Sequence, residues 1–419
     1  MKTHYYLCID LKSFFASVEC VLRGLDAMTT PLVVADPDRS DKTICLAITP
    51  ALKKLGIPNR CRLFEIPEGI RYQIARPQMG KYVEYSARIY GIYLHYVSKE
   101  DIHVYSIDEA FLDVTDYLSL YGMTARELGQ KIMEDIFQSL GLRATCGIGT
   151  NLYLAKIALD ITAKNSPDFI GELTEESYKR TLWEHRPLTD FWRIGSGTAR
   201  TLAGYGIYTM REIARCEEEF LYRLFGIDAE LLIDHAHGRE PVTIADIKNY
   251  KSTTHSLSSG QVLMSDYDFP DGRLIVKEMM DALCLDMVSQ KLLTRSITLH
   301  VGYSGKYSMK SAHKTASVRS ETSSDQILIP LAVRLYDEIV NPSVPIRRIH
   351  LTCNHVIPEE YRQCSFFDSS QEEEKTRRVQ EAVLSIKEKF GKNAILKGMN
   401  LEEKSTAMER NRQIGGHKK

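Results

Sequence analysis

The sequence predicts an α+β fold divided into several domains, and three observations carry this prediction. Short apolar strands alternate with amphipathic helices up to about residue 168; consecutive short helices separated by glycine turns follow; and strands and helices alternate again from about residue 253. The chain has 419 residues, which is too long for a single hydrophobic core. The usual domain size therefore predicts about three or four domains.

The first segment combines short apolar strands with helices whose apolar residues recur at helical spacing. The predicted strands are Tyr5–Ile9, Leu32–Val34, Ile44–Ile48, Val104–Ile107, Phe111–Val114 and Ala144–Ile148. The predicted helices are Phe14–Leu22, Tyr82–Tyr96, Ala125–Leu140 and Tyr153–Ala163, the last with Thr150 or Asn151 as its N-cap. This order predicts a sheet covered on one face by helices.

The remaining chain divides into a helical part, an extended linker and a second α+β part. The predicted helices of the helical part are Glu175–Glu184, Asp190–Trp192, Thr198–Leu202, Met210–Arg215, Glu217–Leu224 and Ala229–His237. The second α+β part is predicted to contain strands Thr253–Leu263, Ser296–Tyr303 and Arg347–His355, and helices Leu274–Leu292 and Leu328–Glu338. The charged tail beyond residue 358 is predicted to be helical over Glu372–Phe390.

Composition excludes several classes of protein. Hydrophobic residues make up 43% of the chain, yet no apolar run approaches the roughly 20 residues that span a bilayer. The N-terminus lacks the pattern of a signal peptide, so we expect a cytoplasmic protein that does not enter the membrane. The nine cysteines form no C-x-x-C pair, which favours reduced thiols over a zinc site.

The net charge of −1 hides an uneven distribution of charge. The window from Met287 to Ser320 contains no acidic residue. Its basic residues are Lys291, Arg295, Lys306, Lys310, Lys314 and Arg319. Basic residues without acids favour a surface that follows DNA phosphates, and a solvated sheet face is the alternative.

The stretch YSIDEAFLD, Tyr105–Asp113, places two adjacent acids between short apolar runs. Neighbouring side chains on a regular strand point to opposite faces, so Asp108 and Glu109 can share a target only at a bend such as a hairpin tip. Crowded carboxylates need a compensating cation, and Asp10, at the end of an earlier strand, would complete a metal site. A solvated turn at residues 108–109 and a helix N-cap at Asp10 are the alternatives.

Three motifs resemble those of the Y-family DNA polymerases, the translesion enzymes. They are CIDLKSFFASVE at Cys8–Glu19, YSIDEAFLD at Tyr105–Asp113 and GIGTNLYLAKIALDITAK at Gly147–Lys164. The resemblance extends through essentially the whole chain, and the C-terminal sequence from Asn393 is similar to the tail of UmuC-like bacterial members.

This resemblance implies a right-hand polymerase with four domains. Residues 1–30 and 78–168 would form the palm, 31–77 small fingers and 169–240 a helical thumb with a helix-hairpin-helix. A linker at 241–252 would lead to an α+β little finger at 253–357, followed by a tail at 358–419. The implied protein is a monomer associated with the bacterial nucleoid.

The resemblance also implies a catalytic site. Asp10, Asp108 and Glu109 match the family's metal-binding carboxylates and, with the backbone carbonyl of Leu11, would hold two Mg²⁺ ions. These ions would lower the pKa of the primer 3′-hydroxyl and stabilise the leaving pyrophosphate. Phosphoryl transfer depends on positioning and on charge neutralisation, so cationic side chains are expected near the triphosphate.

Three further residues match nucleotide-binding positions of the family. Lys164 and Lys53 match cations that contact the triphosphate, and Phe15 matches the steric gate that rejects a ribose. Without the resemblance, Phe15 would be assigned to the buried face of its helix. Two positions depart from the family, because Pro50 replaces a phosphate-contacting tyrosine and Lys12 replaces an acid found in some members. Lys156, a further helical lysine, is a weaker candidate because such residues are usually solvated.

Outside the palm, two motifs indicate macromolecular partners. In the thumb, Gly195 and Gly197 would let backbone N–H groups approach a DNA phosphate, although an ordinary glycine turn is the alternative. Gln363, Phe366 and Phe367 resemble the short peptide by which bacterial polymerases bind the sliding clamp, and packing within their own domain is the alternative. UmuC-like members can depend on partner proteins, so the resemblance also allows an activating accessory subunit.

The sequence therefore predicts a template-dependent DNA polymerase of low fidelity that uses dNTPs and primer-template DNA, without a proofreading exonuclease. A catalytically inert accessory protein bound to DNA and the clamp is the alternative, and the intact carboxylates at 10, 108 and 109 count against it. A palm-type nucleotide cyclase is a third class. It would need neither the glycine hairpin nor the clamp-like peptide.

Overall fold

The computed structural model describes residues 3–39, 43–252, 255–359 and 370–418. The chain forms two compact units, residues 1–250 with 417–419 and residues 251–416. We refer to them as the first and the second unit. No helix within the described ranges is both long enough and apolar enough to cross a membrane.

The first unit contains strands β1–β8 and helices α1–α12. The strands are β1 Tyr6–Leu11, β2 Leu32–Val34, β3 Ala47–Ile48, β4 Gln73–Ala75, β5 Ile102–Val104, β6 Glu109–Asp113, β7 Ala144–Gly149 and β8 Ile170–Leu173. The helices are α1 Phe14–Leu22, α2 Pro50–Lys54, α3 Met79–Tyr93, α4 Tyr117–Tyr121, α5 Ala125–Leu140, α6 Leu152–Ile157, α7 Glu175–Thr181, α8 Ser196–Ala203, α9 Met210–Ala214, α10 Glu218–Phe225, α11 Asp228–His237 and α12 Ile244–Asn249. A π-turn, Ala158–Thr162, continues α6.

Five strands of the first unit form one sheet in the order β5-β6-β1-β7-β8. Strand β1 lies at its centre and pairs antiparallel with both β6 and β7. Every residue of β1 except Asp10 is buried, as expected for a central strand between two layers. The mixed strands and helices confirm the predicted α+β class.

Helices cover both faces of this sheet, whereas the sequence predicted one covered face. Gly129 of α5 packs against Leu7 and Cys146 on one face. Leu152 of α6 joins Cys8 in a buried cluster on the other face. The apolar residues of α6 predict a helix, but they do not show which face of the sheet it covers. The second helical layer could therefore not be predicted.

Helix α6 lies on strand β7 at backbone contact, because two glycines leave room for it. A Cβ atom on Gly147 would lie 2.1 Å from the carbonyl oxygen of Ala155, and one on Gly149 would lie 2.1 Å from the backbone nitrogen of Ala155. Asn151 caps α6 through its side chain, which accepts a hydrogen bond from the backbone N–H of Leu154 at 2.8 Å. The close approach therefore fixes α6 relative to the sheet.

Residues 31–77 form a small three-stranded sheet in the order β3-β2-β4 with its own buried cluster. Helices α7–α11 enclose another cluster, which includes Leu202 and Met210. The predicted linker at 241–252 contains helix α12, and Ile244 of this helix is buried against β1 and α6. The linker is therefore partly helical and belongs to the core of the first unit.

The second unit contains strands β9–β14 and helices α13–α16, and strand β15 lies beyond it. The strands are β9 Leu257–Tyr267, β10 Leu292–Tyr303, β11 Ala312–Thr322, β12 Ile346–Asn354, β13 Ile357–Pro358, β14 Gln413–Ile414 and β15 His417–Lys418. The helices are α13 Phe269–Ser289, α14 Asp325–Ile339, α15 Ser370–Phe390 and α16 Ala407–Arg410. The main sheet has the order β11-β10-β12-β9, and α13 and α14 contribute to its buried core. Strand β11 was not predicted.

The C-terminal segment packs on the second unit through hydrogen bonds to one buried acid. The carboxylate of Glu278 on α13 accepts bonds from the Asn400 side chain and from the backbone N–H of Thr406, both at 3.0 Å. Arg410 of α16 donates to the side chain of Gln261 on β9 at 3.0 Å. The buried charge of Glu278 is thus compensated by hydrogen bonds from the tail.

The glycine contact between β7 and α6 gives a stability prediction. We expect Gly147→Ala to lower the free energy of unfolding of the first unit by at least about 2 kcal/mol, because the new methyl group clashes with the backbone of α6. Gly69→Ala is the control, since a Cβ atom there meets nothing within 4 Å. Thermal unfolding measures both variants, and equal midpoints would contradict the close approach.

Candidate active site

The turn between β5 and β6 brings the two adjacent acids to one end of the sheet. Strand β5 ends at Val104, so the predicted strand Val104–Ile107 was wrong beyond its first residue and the turn begins within that range. The backbone N–H groups of Tyr105 and Ser106 both donate to the carbonyl of Glu109, at 2.9 and 3.0 Å. Asp108 lies in the turn and Glu109 opens β6, so strand alternation does not separate the two carboxylates.

Strand register places Asp10 directly opposite Glu109 across the β1–β6 pair. Directly opposed residues project from the same face of a sheet, so the two acids are close neighbours. Burial, followed by the charges of Asp108 and Glu109, raises the pKa of Asp10 to about 7. The three carboxylates therefore carry more negative charge than the surrounding protein stabilises.

Lys156 of α6 supplies one compensating charge. Its ammonium group lies 2.8 Å from Oε1 of Glu109 and 3.1 Å from Oδ2 of Asp160. The thiol of Cys8 donates to the same Glu109 oxygen at 3.2 Å. Burial tends to lower the pKa of Lys156, but Cys8, Glu109 and Asp160 together raise it above its ordinary value. The lysine side chain is only 9% exposed, so the prediction of a solvated side chain was wrong.

The donor set of this site suits a hard divalent cation. Carboxylate oxygens are the ligands that Mg²⁺ and similar ions prefer, and the raised pKa of Asp10 indicates missing positive charge. Oδ1 of Asp108 accepts a bond from the Ser106 hydroxyl at 2.7 Å, and Glu109 is engaged by Lys156. Within the described ranges, no three His, Cys, Asp or Glu side chains already converge around a position for an ion. The residues fit a divalent ion by chemistry, although both Asp108 and Glu109 now bond to protein donors.

The start of helix α1 offers an unusual polar feature beside the carboxylates. Ser13 adopts the left-handed conformation with φ of 51° and occupies the N-cap position without making a side-chain cap. Among the described residues, its buried hydroxyl oxygen has no hydrogen-bond partner. A strained residue with an unsatisfied hydroxyl at a helix N-terminus is suited to binding an anion.

Phe15 lies on α1, and a second aromatic ring packs against it. Its ring stacks on Tyr82 of α3, with centroids 4.4 Å apart and an interplanar angle of 16°. The Tyr82 hydroxyl donates to the carboxylate of Glu19, which is fully buried, at 2.7 Å. Gln78 also donates to Glu19, at 3.2 Å. Phe15 is only partly buried, so it does not belong to the closed core that its helical position alone indicates.

Three lysines lie within electrostatic reach of one another, and two of them, Lys12 and Lys53, also lie within reach of Asp10. Burial lowers the pKa of Lys12. The positive charges of Lys53 and Lys164 lower this pKa further, and the negative charge of Asp10 opposes the shift. Burial likewise lowers the pKa of Lys53, again opposed by Asp10. The Lys12 ammonium lies 3.8 Å from the centroid of the Phe169 ring. Sequence-predicted Lys53 and Lys164 are therefore brought together, with Lys12 as an additional cation.

The predicted hairpin glycines lie at the start of α8, with Gly195 as its N-cap. A Cβ atom on Gly195 or Gly197 would meet nothing within 4 Å, so internal packing does not require glycine at either position. The indole N–H of the nearby Trp192 donates to the hydroxyl of Tyr105 at 3.0 Å. This bond ties the segment before α8 to the turn that carries Asp108.

Three of the predicted DNA-binding residues in the second unit are already paired with acids. The pairs are Arg295 with Glu321 at 2.8 Å, Lys306 with Asp266 at 3.1 Å and Lys314 with Glu338 at 2.7 Å. All three acids lie outside the acid-free window Met287–Ser320. The positive charge available for DNA is therefore lower than the sequence of this window indicates. For Lys291 and Lys310, as for these three, contact with phosphates stays a prediction.

The sequence alone did not reveal the ion pairs that Lys156 and Asp160 make in the site. The spacing of Lys156, Asp160 and Lys164 at intervals of four residues was the available signal, because such residues lie on one side of a helix. The clamp-like peptide with Gln363, Phe366 and Phe367 lies outside the described residues.

Comparisons with known proteins agree on one family. Residues 9–160 match the impB/mucB/samB family, and residues 254–366 match the C-terminal domain of the same family. The chain is 31% identical to a putative UV-damage repair protein, UvrX, of Bacillus subtilis, over 98% of this chain and 97% of the relative. It is 30% identical to DNA polymerase IV 2 of Halalkalibacterium halodurans, over 98% of each chain.

A solved structure shares the fold. A Y-family DNA polymerase chimera matches 84% of this chain and 99% of its own length, with a TM-score of 0.64 and 22% sequence identity. The right-hand polymerase fold predicted from the sequence is thereby confirmed. Membership of a UmuC-like branch stays a prediction.

The electrostatics of Asp10 predict how stability depends on pH in metal-free protein. The folded-state pKa of about 7 lies above the unfolded value near 4, so the unfolded state loses its proton first and stability falls as pH rises from about 4 to 7. In EDTA at pH 8, Asp10→Asn should therefore be more stable than wild type by on the order of 2 kcal/mol. The difference should vanish near pH 4. Thermal unfolding at both pH values checks this, with exposed Glu230→Gln of α11 as the control.

Proposed function

The chain belongs to the impB/mucB/samB family, the Y family of translesion DNA polymerases, and we propose that it extends primers past damaged template bases by two-metal nucleotidyl transfer. The observation that carries the proposal is the crowding of Asp10 against Glu109 and Asp108 beside a set of lysines. The carboxylates have too little positive charge around them, and the lysines have too little negative charge. Two divalent cations would compensate the carboxylates, and a triphosphate would compensate the lysines.

The carboxylates would hold the divalent ions. We propose Asp10, Asp108 and Glu109 as side-chain ligands and the Leu11 carbonyl as a backbone ligand, with Mg²⁺ as the natural ion because all donors are oxygens. The ions, when bound, lower the pKa of the primer hydroxyl and neutralise charge on the leaving pyrophosphate. Lys156 holds one carboxylate oxygen of Glu109 in an ion pair at 2.8 Å. The protein's own contribution is thus to hold the carboxylates at fixed positions.

The lysines and the start of α1 would hold the triphosphate. Lys53 and Lys164 are proposed to neutralise its charge, and Lys12 lies within their electrostatic reach. Ser13, next to Lys12 in the sequence and at the N-cap of α1, is a further candidate contact, because among the described residues its hydroxyl has no partner. Pro50 offers no hydroxyl, so Lys12 and Ser13 replace the phosphate contact that a tyrosine makes in other members.

DNA would be held by contacts that carry no sequence information. We propose that a phosphate lies at the start of α8, where Gly195 and Gly197 leave open space for it. The basic residues of the second unit, Lys291 to Lys314, would add further phosphate contacts. A sliding clamp bound by Gln363, Phe366 and Phe367 and an activating subunit are proposals from the family resemblance. The inert-accessory alternative has no observation in its favour.

Removal of one carboxylate tests the catalytic proposal. We expect Asp108→Asn to reduce primer extension with Mg²⁺ and dNTPs by at least about 10³-fold, because an ion ligand is lost, while DNA affinity stays nearly unchanged. Extension is measured on undamaged and abasic templates, with DNA affinity from fluorescence anisotropy. Glu100→Gln, an exposed acid shortly before the same hairpin, is the control. A fully active Asp108→Asn variant would refute the catalytic assignment.

Removal of the Phe15 ring tests the steric gate. We expect Phe15→Ala to lower the preference for dNTPs over rNTPs by about tenfold or more, because no ring would then oppose the 2′-hydroxyl. The ratio of kcat/KM for the two nucleotides is the measurement. Phe64→Ala removes a ring that is 54% exposed elsewhere in residues 31–77 and should leave the ratio unchanged. An unchanged ratio in Phe15→Ala would exclude the gate.

A further inference from the structure

A continuous chain of ion pairs links the carboxylate site to the phosphate-binding lysines. Lys156 contacts Glu109 at 2.8 Å and Asp160 at 3.1 Å, and the other carboxylate oxygen of Asp160 lies 3.6 Å from the ammonium group of Lys164. The charges alternate along the order Glu109, Lys156, Asp160, Lys164. Asp160 is thus a shared partner for two lysines that belong to different halves of the site.

The side chains are nearly buried at the Glu109 end of this chain of ion pairs and exposed at its Lys164 end. The side chains of Lys156 and Glu109 are 9% and 10% exposed, that of Asp160 is 25% exposed, and that of Lys164 is 60% exposed. A buried ion pair is held firmly, because separation would leave uncompensated charge, whereas an exposed pair is weak and exchanges readily. The Glu109 end is therefore fixed, and the Lys164 end can release Asp160 when a stronger anion arrives.

The backbone is shaped to make this chain possible. Residues four apart on an α-helix drift around its axis, because one turn takes only 3.6 residues. The π-turn Ala158–Thr162 takes more residues per turn and so compensates for this drift. Gly171 of β8 packs against this turn, where a Cβ atom would lie 2.5 Å from the carbonyl oxygen of Ala158. The widened turn therefore brings Asp160 into contact with both lysines and is fixed in place by the sheet.

We propose that Asp160 is a positioning residue that holds Lys156 against Glu109 and restrains Lys164 until the triphosphate of a dNTP displaces it. This inference rests on the proposed polymerase function and assigns Asp160 no contact with metal or substrate. The two ends of the ion-pair chain act on different quantities. The Lys156 end affects the placement of Glu109 and hence kcat, and the Lys164 end affects the affinity for the triphosphate.

Asp160→Asn separates these effects, because it keeps the size of the side chain and removes its charge. Lys164 loses its competing acid, so KM for dNTP should fall about two- to fivefold. Lys156 loses one of its two partners, so Glu109 is held less firmly and kcat should fall about tenfold. Both constants come from insertion of a single nucleotide on an undamaged primer-template by the full chain. A lower KM together with a lower kcat is not expected from loss of structure.

Equilibrium binding provides a measurement that does not require catalysis. Calorimetry with Ca²⁺ and a dideoxy-terminated primer should show tighter dNTP binding to Asp160→Asn than to wild type. Lys156→Met should lower kcat without tightening dNTP binding, since Lys156 contacts Glu109 and Asp160 rather than the nucleotide-facing end. Thermal unfolding of each variant identifies any loss of the fold.

A matched control comes from another helical pair four residues apart. Lys179 and Glu175 of α7 are 3.9 Å apart on an exposed surface, and Glu175→Gln should change neither KM nor kcat. The proposal is overturned if Asp160→Asn binds dNTP no more tightly than wild type, or if its kcat is unchanged. Lack of extension by wild type would instead count against a polymerase that acts without an activating subunit, and the calorimetric comparison, which does not depend on turnover, would still test the role of Asp160.

Discussion

The register of β1 against β6 imposes the electrostatic problem around which the first unit is built. It sets Asp10 opposite Glu109, with Asp108 one residue away in the turn, so the charges of Asp108 and Glu109 both act on Asp10. Burial, followed by these like charges, raises the pKa of Asp10 to about 7. Lys156 supplies a fixed positive charge, 2.8 Å from Glu109. Divalent ions are the proposed source of the remaining positive charge.

The fixed charge depends on how closely α6 packs on β7. Lys156 reaches Glu109 only because α6 lies on β7 at backbone contact, and that contact requires Gly147 and Gly149. Larger residues at either glycine would lift the helix and carry its ammonium group away from the sheet. The same helix continues into the π-turn, where Asp160 faces Lys164. Sheet packing and active-site electrostatics are therefore a single constraint in this region.

Sequence patterns sufficed where one local signal decided the outcome. Helices Phe14–Leu22 and Ala125–Leu140 have the predicted bounds, and the second begins with a capping box between Thr124 and Glu127. Strand β11, Ala312–Thr322, was missed because it is an edge strand whose many polar residues leave little apolar alternation. Edge strands of this kind depend on pairing with a neighbour, here β10, which a single sequence does not reveal.

The site also contains residues that a local motif reveals and residues whose role depends on long-range packing. Asp10, Asp108 and Glu109 could be predicted as candidates from a motif and its spacing, because the acids and the hairpin lie in short segments. The role of Lys156 could not follow, since it depends on how deeply α6 sits on the sheet. The acid-free window misled for a similar reason: Glu321, Asp266 and Glu338 reach its basic residues from neighbouring elements in space. Long-range pairing is the information that one sequence lacks.

The crowded acids also bear on whether the protein is an active enzyme or an inert DNA-bound relative. An accessory protein would gain stability from a neutral residue at position 10, because Asp10 is destabilised by its neighbours in the absence of ions. Its contact with DNA would not suffer, since the proposed DNA-binding groups lie elsewhere. A nucleotide cyclase could use the carboxylates but would have no use for an open glycine turn at the start of α8. The acids opposed across β1 and β6 and the open glycine turn together favour a DNA polymerase over either alternative.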